Sequence, residues 1–149
     1  MITEDYVSFE IAKLLKDKGF DELCDKKYNG YKSIVPAGKM IELWQNSEFD
    51  DDEECSAPTL QMAMKWLRLK HNIYIDVYLS FSEDPEAYPA VYYVYILDTK
   101  SGNSLMEKAA HIGELNPLID VNNHDIPITF ESPEEAAEAA IKYCLNNLI

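Results

Sequence analysis

Positive charge is what this sequence is shortest of. Thirteen Lys and Arg stand against 27 Asp and Glu, which leaves a formal net charge of −14. A field of that sign repels nucleic-acid phosphates and anionic lipid, and it favours basic partners, cations or plain solubility. Direct nucleic-acid binding is therefore not expected. Glycine is scarce too, with 5 residues and no Gly-rich phosphate loop among them. GxSxG and HExxH are missing, and the histidines His71, His111 and His124 stand apart, so no catalytic residue is assigned. Cysteine is limited to Cys24, Cys55 and Cys144, an odd number with no CxxC pair and no Cys/His knuckle. Neither a disulfide framework nor a zinc site is indicated, and buried thiols are the expectation. No apolar run is long enough to span a bilayer, residues 1–20 are charged throughout, and no lipidation signal appears. A cytoplasmic protein without membrane contact is expected.

What the chain does have is globular composition. Its 149 residues are 47% hydrophobic and 27% charged, which fits a single α+β domain spanning residues 1–149. The stretch 58–72, PTLQMAMKWLRLKHN, predicts a central helix. At about 100° per residue, Gln61, Lys65, Arg68 and Asn72 share a narrow polar arc. Leu60, Met62, Ala63, Met64, Trp66, Leu67 and Leu69 fill much of the remainder, an arc of roughly 220°, wider than the stripe of a surface helix. Ser8 caps a second, shorter helix that ends at Gly19, with Phe20 placed to pack back on Leu15 in a Schellman ending. Lys13, Lys16 and Lys18 crowd its C-terminal half, where the helix dipole favours cations. Ser132, Pro133 and Glu135 start a third helix, with Ala137, Ile141, Cys144 and Leu148 inward.

Residues 73–82 alternate strictly, with Ile73, Ile75, Val77, Leu79 and Phe81 on one face and Tyr74, Asp76, Tyr78, Ser80 and Ser82 on the other. Residues 90–97 pair with them as an antiparallel hairpin, and residues 126–130 supply a further strand, with Pro127 at an edge or strand start. The expected fold is an antiparallel three- to four-stranded sheet packed on the central helix, with N-terminal and C-terminal helices beside it. Shorter strands are expected over 31–35 and 40–44, and a helical turn around 105–112. If Tyr92, Val94 and Ile96 face the core, Tyr93 and Tyr95 join Tyr74 and Tyr78 on the other face. These four tyrosines are the candidate partner-binding residues, because tyrosine gives large contact area at low entropy cost. Cross-strand aromatic pairing, or cover by the N-terminal segment, accounts for them more simply and without a partner.

The acidic residues gather at 48–54, 83–86 and 131–138. The first run lacks the spaced D-x-D-x-D-G pattern of an EF-hand and reads as a solvated loop, so no metal and no cofactor is implied. Carboxylates arrayed on one surface would imitate the charge rows of duplex DNA, and an acidic nucleic-acid-mimic inhibitor of a host enzyme is an alternative reading. The order helix, hairpin, strand, helix resembles the plan of double-stranded-RNA-binding domains, but Glu134, Glu135 and Glu138 stand where such domains meet phosphates.

Three further stretches carry a second resemblance: VSFEIAKLLKDKGFDE at 7–22, SAPTLQMAMKWLRLKHNIYIDV at 56–77, and TFESPEEAAEAAIKYCLNNLI at 129–149. They are similar to short uncharacterised proteins encoded by phages and integrated mobile elements of gut Bacteroidales, and the middle stretch is the most specific. The resemblance implies a cytosolic phage-related protein and brings no activity and no catalytic residues with it. Together these features point to a non-enzymatic accessory or interaction protein whose partner is a host or phage protein. A small enzyme with an unrecognised site is the remaining alternative.

Overall fold

The computed structural model describes residues 1–81, 83–84, 86–87, 89–106 and 128–149, and the chain divides into two compact units, Met1–Trp66 and Leu67–Ile149. Helices and antiparallel strands make up both, an α+β fold as the pattern predicts. Among the described residues the strands fall into two sheets, of three and two strands, where the pattern predicts one sheet of three or four.

In the first unit, helix α1 (Phe9–Asp17) opens at Ser8, whose Oγ accepts from the Ile11 N–H at 3.4 Å. It closes on Gly19 at φ +88°, a conformation that costs an L side chain and not glycine. The Gly19 N–H donates to Lys16 O and the Phe20 N–H to Leu15 O, the bond pair of the expected Schellman ending. Leu15 and Phe20 are both buried, and the Phe20 ring meets Trp66 edge-on at 5.6 Å.

The short strands of this unit are displaced from their expected places. Strand β1 (Lys26–Tyr28) lies between β2 (Ile34–Pro36) and β3 (Cys55–Ser56), antiparallel to both. Residues 31–33 are a turn, because Asn29 Oδ1 accepts from the Tyr31 and Ser33 N–H groups and draws the chain round. Pro36 closes β2 rather than lying beyond it, and β2 is an edge strand, where a residue without an N–H is tolerated. Residues 40–44 are no strand either. The Glu42 N–H bonds Lys39 O across a turn with Met40 at φ 59°, and of that stretch Trp44 alone forms a bridge, to Cys24.

The acidic loop is pinned by lysines. Lys13 and Lys16, read from the sequence as dipole partners, donate from Nζ to Asp52 O, and Lys16 donates to Glu54 O at 2.7 Å. Lys27, on β1, pairs with the Glu54 carboxylate at 2.7 Å. The buried Asn46 completes the unit: its Nδ2 donates to Phe20 O at 2.6 Å and its Oδ1 accepts from the Ser56 N–H at 2.8 Å.

Helix α2 (Leu60–His71) begins after Thr59, whose Oγ1 accepts from the Met62 N–H at 3.2 Å. Gln61, Lys65 and Arg68 are exposed, as the polar arc requires. Leu60, Ala63, Trp66 and Leu67 are buried, Met62 and Met64 are half-buried, and Leu69 is exposed. The buried stripe is thus narrower than the apolar arc, since apolar character permits burial without compelling it.

In the second unit, β4 (Ile73–Ser80) and β5 (Val91–Asp98) pair antiparallel, with Ile75 opposite Ile96, Val77 opposite Val94 and Tyr78 opposite Tyr93. Ile73, Ile75, Val94 and Ile96 are buried, and helix α3 (Pro133–Asn147) packs against both strands. The alternation fades along β4: Val77 is half-buried, Leu79 is exposed, and Phe81 lies past the strand end, also exposed. Phe130 exchanges both backbone bonds with Tyr92 at 2.9 Å, an isolated bridge to β5, and Leu97 forms another with Ser104. Residues 126 and 127 of that expected strand, and residues 107–112 of the expected helical turn, lie outside the described residues. Ser132 Oγ caps α3 by accepting from the Glu135 N–H at 3.1 Å. Ala137, Ile141 and Cys144 are buried as predicted, whereas Leu148, also expected inward, is half-buried at the C-cap past the last turn. Ala136, Ala140, Tyr143 and Leu145 are buried besides. No helix among the described residues is long and apolar enough to cross a membrane.

Candidate functional site

The β4–β5 hairpin has two chemically unlike faces. Directly opposed residues of an antiparallel pair point the same way, so the register puts Tyr74, Asp76, Tyr78, Tyr93 and Tyr95 together on the face away from Ile75 and Ile96. All four tyrosines expected to share a surface do share one. Tyr78 stacks on Tyr93 with ring centroids 5.4 Å apart and planes 19° apart, and on Tyr95 at 5.4 Å and 6°. Tyr93 is the directly opposed partner and Tyr95 the diagonal one. Such contacts are worth about 0.5–1.5 kcal/mol beyond area burial, so pairing explains part of this cluster.

Pairing leaves aromatic surface over. Tyr74 is 41% exposed and Tyr95 38%, while Tyr78 and Tyr93 are half-buried. The Tyr78 hydroxyl is pushed up to about 12, first by a hydrogen bond with the Tyr95 side chain, then by burial, then by electrostatic interaction with Tyr95, Tyr93 and Asp76. It stays neutral across the physiological range. Asp76 is the site residue that sequence reading placed on this face without a role. Its signal was its position, an even-numbered acid between two even-numbered tyrosines.

The thiols have the opposite character to catalytic nucleophiles. Cys24, Cys55 and Cys144 are buried and free, as expected. Burial pushes Cys24 and Cys144 up to about 12 and Cys55 up to about 11. A nucleophilic cysteine needs the reverse shift. His71 ends α2 as the sequence suggests, and burial holds its imidazole below the usual range. His111 and His124 lie outside the described residues. Among the described residues no group of three His, Cys, Asp or Glu is placed to hold a metal ion. Of the acidic clusters, residues 48–54 belong to the first unit, and residues 131–138, with the described part of 83–86, to the second. No family model, curated protein or solved structure matches this chain.

Proposed function

We propose that this chain is a non-enzymatic interaction protein that meets a protein partner through the tyrosine face of the β4–β5 hairpin. The observation that carries this reading is the aligned stack of Tyr78 with Tyr93 and Tyr95, with Tyr74 and Tyr95 left open beside it. Tyrosine is enriched where one protein docks on another, because its rigid ring buries much area with few rotatable bonds. The high thiol pKa values favour this reading over cysteine catalysis. The resemblance of residues 7–22, 56–77 and 129–149 supports an origin in a phage or integrated element, where accessory proteins act in the host cytoplasm on host or phage proteins.

Capture from bacterial host lysate tests the surface. Wild-type protein is expected to retain a partner that a Tyr74→Ser/Tyr95→Ser variant loses while its circular dichroism stays unchanged. Identical partners on the folded variant would remove this face from consideration.

A further inference from the structure

Among the described residues, Asp76 is the only charged residue that strands β4 and β5 place on the tyrosine face. Its surroundings follow from the register. Tyr74 and Tyr78 flank it along β4, each about 7 Å away on the same side, and Tyr95 stands directly across the ladder. One carboxylate is thus bordered by three aromatic side chains. Among the described residues the Asp76 carboxylate makes no ion pair and no hydrogen bond, and the two cations found over aromatic rings lie elsewhere, Lys27 on Phe49 and Lys32 on Phe9. Ring faces and a carboxylate attract the same kind of group, a cation.

We propose that Asp76, with Tyr74 and Tyr95, the neighbouring tyrosines that keep exposed surface, receives an arginine side chain from a basic segment of the partner protein. This rests on the interaction reading above and gives the partner its chemistry. A guanidinium fits better than an ammonium, because its plane stacks on a tyrosine ring while its edge donates two parallel hydrogen bonds to a carboxylate. A macromolecular segment fits better than a small cation. An open sheet face encloses little of a small ligand, whereas a segment lying along the hairpin adds contacts on both sides of Asp76. The charge of −14 draws such a segment in, and the tyrosine ring decides where it settles.

The test titrates the full chain with a fluorescein-labelled peptide of alternating arginine and glycine. A second peptide carries citrulline in place of arginine, which keeps the shape and removes the charge. Amide spectra of isotope-labelled protein locate the binding. The arginine peptide is expected to shift amides of residues 73–80 and 91–98, and the citrulline peptide to bind at least about tenfold more weakly. Asp76→Asn should weaken the arginine peptide about fivefold to tenfold, and Tyr95→Ala about threefold. Glu53→Gln removes the same charge in the other unit and should change affinity less than about twofold. Equal losses in Asp76→Asn and Glu53→Gln, shifts scattered along the chain, or no binding would each overturn the proposal. If Tyr74→Ser/Tyr95→Ser loses a lysate partner that Asp76→Asn keeps, the interaction reading stands and the arginine inference falls. If neither variant alters capture, both fall.

Discussion

The two units of this chain reach order by different routes. Leu67–Ile149 is built on long periodic elements, the eight-residue strands β4 and β5 and the 15-residue helix α3. Met1–Trp66 has strands of two and three residues, and individual polar contacts hold its loops: Asn46 between Phe20 and Ser56, Asn29 across its turn, and Lys16 and Lys27 on the acidic run. The comparison teaches that periodic burial is robust to single changes at its edges, whereas a unit stitched by single side chains has several positions that each decide a loop.

Alkaline pH should break the comparison most strongly. Unfolded thiols titrate near the ordinary value of 9, but in the folded protein Cys24 and Cys144 hold their protons to about 12 and Cys55 to about 11. Unfolding therefore releases protons between those values, so stability present below pH 9 is lost as pH rises toward 11–12. Two of these thiols lie in the first unit, and so do both tryptophans, Trp44 and Trp66. Tryptophan fluorescence should report loss of the first unit at a lower pH than ellipticity reports loss of helix. Coincident transitions would show that the units respond as one.

Removing core volume comes next. Phe20→Ala and Ile96→Ala each truncate a fully buried side chain, with expected losses of about 3–5 and 2–5 kcal/mol in urea unfolding. Phe20→Ala should shift the tryptophan signal, because its ring touches Trp66. Ile96→Ala should leave that signal in place while it lowers the protection of β4 and β5 amides.

Asn46→Ala sharpens the contrast further. It strands the Phe20 carbonyl and the Ser56 N–H in the interior, at about 1–3 kcal/mol for each group left unpaired. No single polar substitution in the second unit should cost as much by denaturant titration; one that does would refute the distinction.

The end signals of the helices should give about 1 kcal/mol each. Gly19→Ala places a side chain at φ +88° with nothing within 4 Å of its Cβ, so its cost is conformational alone. Ser132→Ala removes the oxygen that accepts from the Glu135 N–H. Thermal melts of the two should therefore move by similar amounts. Lys27→Met should give the smallest effect, below about 1 kcal/mol and smaller still at high salt, because the Lys27–Glu54 pair is partly solvated.

Legibility followed the same division. The Ser8 cap, the Schellman ending at Gly19, the Ser132 cap and the faces of residues 73–80 and 91–98 were all readable, because each rests on neighbours at most a few residues apart. The shared face of Tyr74, Tyr78, Tyr93 and Tyr95 was readable for the same reason, since alternation and hairpin pairing fix it together. The strands at 26–28 and 55–56 were not. Their pairing joins Tyr28 to Cys55 across a long stretch of chain, and no local pattern encodes a contact of that separation. Residues 40–44 look strand-like by composition, yet the Lys39–Glu42 turn and the positive φ of Met40 prevail there.

The amino-acid sequence by itself determined the capped ends of the first and last helices and the chemical asymmetry of the hairpin's two faces, because capping and two-residue alternation act within a turn or a strand. Tertiary structure alone decided that Lys13 and Lys16 hold backbone carbonyls of the acidic run, that Asn46 bridges two distant segments, and that Tyr78 stacks on two rings while no cation among the described residues pairs with Asp76. Those outcomes depend on which distant atoms come within hydrogen-bond or van der Waals range, and that distance is set only when the chain has closed on itself.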